Sequence, residues 1–303
     1  MRIFRKTSIN FLAGRKFAYA GSLLVIVLGL GSLAVKGIDL GIDFVGGTEI
    51  VLRFKTPPSI ADLRSSLAQT GLSASDIKTF GTEGDILIRT REQEAGTAVG
   101  DAIKNAVQQS FPGTSFEVLK QYKVSPKIGK ELRQDALYAV IASLIVILGY
   151  IAIRFKFIYG VGAVVALFHD VLATLGTISL LNGVIPQINL EITLEVIAAF
   201  LTLVGVSVND TVVVFDRIRE NEKLYRSMSL FDVMNKSLNE TLSRTIITNG
   251  TILVVLATLL FMGGEVTRGF AFTLTVGQVF GTYSSIYIAS AIVLDWSLRK
   301  KKA

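Results

Sequence analysis

The sequence predicts an α-helical polytopic membrane protein: six transmembrane helices, with a small α+β, ferredoxin-like (βαββαβ) exported domain between the first and the second. Three observations carry this. Half of the 303 residues are hydrophobic and only 18% are charged, where a soluble domain of this size carries roughly a quarter. The long uncharged stretches fall in six windows, residues 17–35, 136–153, 157–181, 192–215, 245–262 and 269–294, each near the ~20 residues that cross ~30 Å of hydrocarbon. Basic residues, finally, are shared unevenly between alternate connecting segments.

Residues 1–35 read as a cytoplasmic N-terminus and the first span. An apolar stretch behind Arg and Lys invites comparison with a cleaved signal, but its uncharged run of about 19 residues is longer than a typical signal core and no convincing small-x-small cleavage site precedes Lys36-Gly37, so it reads as a retained span. Residues 36–135 are long enough for one domain with its own core. Within them Gly47–Phe54 reads as a strand, and 59–70 as a helix with Ile60, Leu63 and Leu67 on one face after Pro57-Pro58. Strands at 76–80 and 85–90 are joined by a Gly81–Gly84 turn, a helix at 97–110 is stopped by Pro112-Gly113, and 115–124 is a last strand. The order βαββαβ is the split-βαβ arrangement. Residues 127–133 form an amphipathic lead-in to the second span, and 136–303 hold spans two to six, with a cytoplasmic loop at 216–244 and a basic tail.

With the N-terminus inside, the inside segments hold sixteen basic residues besides Arg244, from Arg2, Arg5 and Lys6 to Lys301 and Lys302, whereas the short opposite turns near 182–193 and 263–268 hold only Arg268. This places both termini in the cytoplasm. The 36–135 loop balances thirteen basic against thirteen acidic residues, so the net charge of +7 is topogenic and offers no nucleic-acid surface. There is no cysteine, one histidine and no Gly-x-x-x-x-Gly-Lys-Ser/Thr loop, which removes disulfides, Cys/His metal sites, thiol nucleophiles and nucleotide-driven work. The loop domain has no nucleophile beside a base and reads either as a docking or spacer domain or as one that grips a substrate. No catalytic residue, metal site or cofactor is expected.

Ionisable side chains inside a span are costly, by ~2.5–3.5 kcal/mol on insertion scales, and need a reason. Span three contains His169-Asp170 and span four Asn209-Asp210, both well inside the apolar run. Asp210 is the leading candidate for a proton relay, because burial and a nearby cation pull a carboxyl in opposite senses. Arg244, opening span five, is the nearest candidate cation. The alternative is that Asp210 only hydrogen-bonds a neighbouring helix through Asn209, Ser207 or Thr211. Asp170 either joins the relay or holds a polar neighbour, and His169 reads as a packing residue. Glu195, Asp216 and Arg217 sit at span ends, within reach of headgroups and water. Gly277 and Gly281 suggest close packing of span six.

Four motifs coincide: Gly41-Ile-Asp-Phe-Val-Gly-Gly47, containing Asp43, Gly46 and Gly47; Phe168-His-Asp-Val171; Val206-Ser-Val-Asn-Asp-Thr-Val-Val-Val-Phe-Asp-Arg-Ile-Arg-Glu-Asn221; and Asn239-Glu-Thr-Leu-Ser-Arg-Thr245. Together with span count and loop size, they resemble the SecF branch of the SecD/SecF family of bacterial protein-export membrane subunits, within the resistance-nodulation-division superfamily. The resemblance implies half of that transporter fold, placed in the bacterial inner membrane. It implies work with SecD and the SecYEG channel, with YajC as a further partner, to promote late translocation of preproteins with the proton-motive force. It places a relay pair at Asp210 and Arg244, with another Asp from SecD, across two parallel repeats. Half of a proton-driven exporter of lipids or small molecules is the rival reading, and a non-transducing scaffold a third.

Overall fold

The computed structural model describes residues 7–72, 76–80, 82–90, 97–184, 190–263 and 265–302; Arg2, Arg5, Lys6 and Gly81 lie outside them. A 3₁₀ turn, Phe11–Gly14, leads into α1 (Arg15–Lys36) and a short α2 (Ile42–Val45). Then follow β1 (Gly47–Phe54), α3 (Ile60–Gln69), β2 (Asp76–Phe80), β3 (Thr82–Thr90), α4 (Ala98–Ser110) and β4 (Phe116–Val124). Long helices complete the chain: α5 (Pro126–Arg154), α6 (Phe157–Leu181), α7 (Leu194–Leu224), α8 (Leu230–Met262), α9 (Glu265–Ser284) and α10 (Ser290–Lys302), the last two joined through a π-helical segment, Ser285–Ala289.

Two compact units result. One gathers 1–38, 140–182 and 195–303, and the other 39–139 with 183–194. The second unit is a four-stranded antiparallel sheet in the order β2-β3-β1-β4, which is the split-βαβ topology read from the sequence. Strand alternation sends Ile50, Leu52 and Phe54 of β1 and Ile86 and Ile88 of β3 to one face. There they pack with Leu63 and Leu67 of α3 and Val99, Ile103 and Val107 of α4. Ser59 caps α3 by accepting from the Asp62 N–H at 3.1 Å. β3 starts at Thr82, earlier than the sequence suggested, because Thr82 pairs with Phe80 across a register shift. Residues 183–184 and 190–194, at the turn read from sequence near 182–193, group with this unit.

Among the described residues six helices are long and apolar enough to cross a membrane: residues 11–36, 126–154, 157–181, 194–224, 230–262 and 267–300. The apolar windows of α6, α7 and the last span are 50, 44 and 56% buried, against 6% for α1 and α5 and 17% for α8. A central trio is thereby defined, and it carries the buried Asp170 and Asp210. α7 and α8 are longer than their apolar windows, so the predicted loop at 216–244 is mostly helix. The connection between them is residues 225–229, closed by Ser229 accepting from the Asp232 N–H at 3.1 Å.

Candidate functional site in the helix bundle

Asp170, on α6, is fully buried. Helical geometry brings it to a point where α7 and α9 approach closely, because Gly281 leaves room: a Cβ there would lie 3.2 Å from Ser207 Cβ and 3.6 Å from Asp170 Oδ2. Ser207 Oγ donates to Asp170 Oδ2 at 2.5 Å and Ser284 Oγ to the same oxygen at 2.8 Å. Oδ1 faces His169 Nδ1 at 2.9 Å. Beyond the ring, Nε2 lies 2.9 Å from Ser22 Oγ, which donates to Tyr283 OH at 3.2 Å, and Tyr283 donates to the Ala18 carbonyl at 2.8 Å.

Both ring nitrogens of His169 are thus engaged, Nδ1 with Asp170 and Nε2 with Ser22, which links α6 to α1 and, through Tyr283, to α9.

Asp210, on α7, is 6% exposed. Its Oδ2 accepts from Asn249 Nδ2 on α8 at 2.6 Å, and the same amide nitrogen reaches Thr282 Oγ1 on α9 at 2.7 Å. Gln278 Nε2 donates to Asn249 Oδ1 at 2.8 Å, and Thr282 Oγ1 donates to the Gln278 carbonyl at 2.8 Å. A polar ladder thus ties three spans to one carboxylate, as amides in an apolar medium require partners. The three partners offered by sequence lie elsewhere: Ser207 bonds Asp170, Thr211 Oγ1 lies 3.1 Å from Ser285 Oγ, and Asn209 is exposed.

Arg244 is exposed on α8 and forms no ion pair within 4 Å among the described residues. It lies within Coulombic range of Asp210, as does Asp170. The structure thus brings Asp210, Asp170 and Arg244 into one electrostatic neighbourhood without joining Asp210 and Arg244 directly. Asn249, Gln278, Thr282 and Ser22 were not singled out from sequence. The usable signal was there, since a carboxamide inside an apolar span, as at Asn249 and Gln278, needs a partner on another helix.

The other motif residues have structural duties. Asp216 pairs with Arg154 of α5 at 2.5 Å, and Arg217 with Glu240 of α8 at 2.7 Å and Glu220 at 2.6 Å. Buried Asn221 donates to Ser237 at 2.9 Å and to Glu240 at 2.7 Å. Asn239 clamps the N-terminal segment, accepting from the Ile9 N–H at 2.9 Å and donating to the Ile9 carbonyl at 2.8 Å. In the second unit Asp43 is buried and accepts from the Leu194 N–H, while Gly46 and Gly47 take positive φ of 78° and 138°.

Comparison with known proteins places this arrangement. The family described as protein export membrane protein SecD/SecF, C-terminal, matches residues 102–299, and the SecD/SecF GG motif matches residues 31–58. A protein translocase subunit SecF from Rhodothermus marinus is 46% identical over 299 residues, covering 99% of this chain and 96% of that protein. One from Desulfurispirillum indicum is 42% identical over 300 residues, covering 96% and 92%. The crystal structure of SecDF, a translocon-associated membrane protein from Thermus thermophilus, superposes with a TM-score of 0.84 at 38% identity, over 97% of this chain. A SecDF structure in a super-membrane-facing form gives a TM-score of 0.71 at 36% identity over the whole chain. The present chain spans 39% and 40% of those two SecDF chains. With six membrane-spanning helices, a split-βαβ unit and both family signatures in place, the chain belongs to the SecD/SecF family of protein-export membrane proteins, in its SecF branch.

Proposed function

We propose that this chain acts with SecD beside the SecYEG channel, with YajC as an accessory, to promote late preprotein translocation by spending the proton-motive force. Asp210 is the carboxylate that is loaded and unloaded. Arg244 sets its electrostatic surroundings, and Asp170, held by His169, Ser207 and Ser284, is a second carboxylate of the relay. The observation that carries the reading is the buried Asp210 on a three-helix polar ladder, close to a cation that has no ion-pair partner among the described residues. Moving one charge through the membrane potential is worth about 2.3 kcal/mol per 100 mV, enough to bias a helix rearrangement. A partner half supports this as well: the similar SecDF chains are more than twice as long as this one, and the exposed Arg244 is available to a neighbouring helix. Both termini are cytoplasmic by the distribution of basic residues, with residues 36–135 exported.

The test is Asp210→Asn in the complex with SecD, reconstituted with the channel. Export driven by an imposed proton gradient is expected to fall to the level seen without a gradient, while the complex still co-purifies. Undiminished gradient-driven export would remove Asp210 from the relay. Arg244→Lys keeps the charge but not the planar fork, and distinguishes a Coulombic role, which it preserves, from a bidentate one, which it loses.

A further inference from the structure

The Gly41–Gly47 motif and the segment that precedes α7 meet within the second unit, although Asp43 and Leu194 are 151 residues apart. The Gly41 N–H donates to the Ile192 carbonyl at 2.9 Å and the Ile192 N–H to the Asp39 carbonyl at 2.8 Å, so that Leu40 and Ile192 form a parallel bridge. Asp43 Oδ2 then accepts from the Leu194 N–H at 3.1 Å. Leu194 is the first residue of α7. A helix starts with N–H groups that have no intrahelical acceptor, and its dipole favours a negative charge there. Asp43 therefore caps, from a distant part of the chain, the helix that bears Asp210.

The glycines make the approach feasible. A Cβ on Gly41 would lie 2.7 Å from Thr193 Cγ2 and 3.3 Å from the Ile192 carbonyl oxygen. Gly46 and Gly47, at φ 78° and 138°, turn the chain from α2 into β1 through conformations that L side chains rarely adopt. Two residues into β1, Glu49 makes a second fastening. Its carboxylate receives Arg89 of β3 at 2.8 Å, and the same guanidinium contacts Glu191, from the segment before α7. Glu49 and Glu191 are both buried. Although burial works against its charge, Glu191 and Glu49 hold the Arg89 guanidinium above its ordinary pKa, so the cation between them persists at any working pH.

We propose that the Gly41–Gly47 motif is a clasp. It fixes the first turn of α7 to the sheet of the α+β domain, so that displacement of the Asp210-bearing helix is passed to that domain, with Asp43 as a positioning residue. The transmission rests on the relay reading of Asp210. The clasp itself rests on the backbone bridge, the cap and the shared guanidinium.

The test uses the full chain in complex with SecD, reconstituted with the channel. Asp43→Leu is expected to leave the complex assembled, to speed amide exchange over residues 190–196 roughly fivefold, and to lose most gradient-driven export. Asp43→Asn keeps an acceptor oxygen and is expected to return both readouts to within about twofold of the native protein. The chain has no cysteine, so Gly41→Cys with Thr193→Cys gives this chain its only two thiols. In the Asp43→Leu background their oxidation is expected to restore gradient-driven export, and reduction to abolish it again. Native export by Asp43→Leu despite faster exchange, or failure of the formed disulfide to restore export, overturns the proposal. Asp210→Asn run in parallel separates the two readings: if it exports normally the relay falls, while exchange and disulfide rescue still decide the clasp.

Discussion

Asn249 on α8 donates its side-chain amide to Asp210 on α7 at 2.6 Å while its carbonyl accepts from Gln278 on α9 at 2.8 Å. An NH₂ group can only donate, so Oδ2 of Asp210 is held as an acceptor in this bond. The ladder thereby turns one carboxyl oxygen toward α8.

Replacing Asn249 by Leu strands both Asp210 and Gln278. Each unmet buried polar group costs ~1–3 kcal/mol, so Asn249→Leu is expected to lower the thermal unfolding midpoint of the detergent-purified protein measurably. It is also expected to reduce gradient-driven export strongly. Asn249→Gln, which keeps the amide but displaces it by one methylene, should fall between Leu and the native residue in both measurements.

The two hydroxyls on Asp170 Oδ2 share one acceptor, and this makes their losses interdependent. Ser207→Ala and Ser284→Ala are each expected to cost ~1–2 kcal/mol, with the double variant less destabilised than the sum. Asp170→Leu, by contrast, leaves Ser207, Ser284 and His169 without their common acceptor and should exceed either single serine change. A double-mutant cycle on unfolding midpoints checks both statements.

Much of this molecule was legible in the sequence, because spans and strands are written in local periodicity. Gly47–Phe54 and the helices beginning at Ile60 and Ala98 follow directly from alternation and 3.6-residue spacing. Asp210 and Asp170 stood out because a carboxyl in an apolar run is conspicuous. Their partners did not, since Asn249 and Gln278 carry no charge, and pairing across α7, α8 and α9 depends on helix rotation rather than on spacing. For the same reason Arg244, close to Asp210 on electrostatic grounds, could not be recognised in advance as lacking a direct bond to it. Glu191 and its neighbours meet the α+β unit through a long-range guanidinium contact, a backbone bridge and the Asp43 cap, none of which leaves a periodic trace.

Arg89 is the keystone of a buried ionic cluster. Arg89→Met would remove the guanidinium that the buried Glu49 and Glu191 share, at an expected ~3–5 kcal/mol. Lys120→Met removes a partner of Glu49 that is 40% exposed at 3.1 Å, and is expected to cost no more than ~1 kcal/mol. Hydrogen exchange in β1 and β3 measures the contrast.

α1 and α6 touch backbone to backbone. A Cβ on Gly29 would lie 2.4 Å from Gly176 Cα, and no side chain is present at that point to yield. Gly29→Val is expected to separate the two helices at a cost of ~1–3 kcal/mol. Ser32 and Ser179, whose hydroxyls lie 2.8 Å apart, provide the ruler: a cysteine pair at these positions should oxidise readily in the native background and poorly beside Gly29→Val.

The π-helical turn at Ser285–Ala289 amounts to one surplus residue in an otherwise regular span. Everything beyond it is rotated by about 100° relative to a continuous α-helix, and it is in that rotated frame that Asp295 meets Arg15 at 2.8 Å and Tyr19 at 3.3 Å. Deleting a single residue there would leave Ser284 on Asp170 and swing Asp295 away from both partners. The span thus carries two angular registers, one that serves the buried carboxylate and one that docks the C-terminal end of the helix against α1.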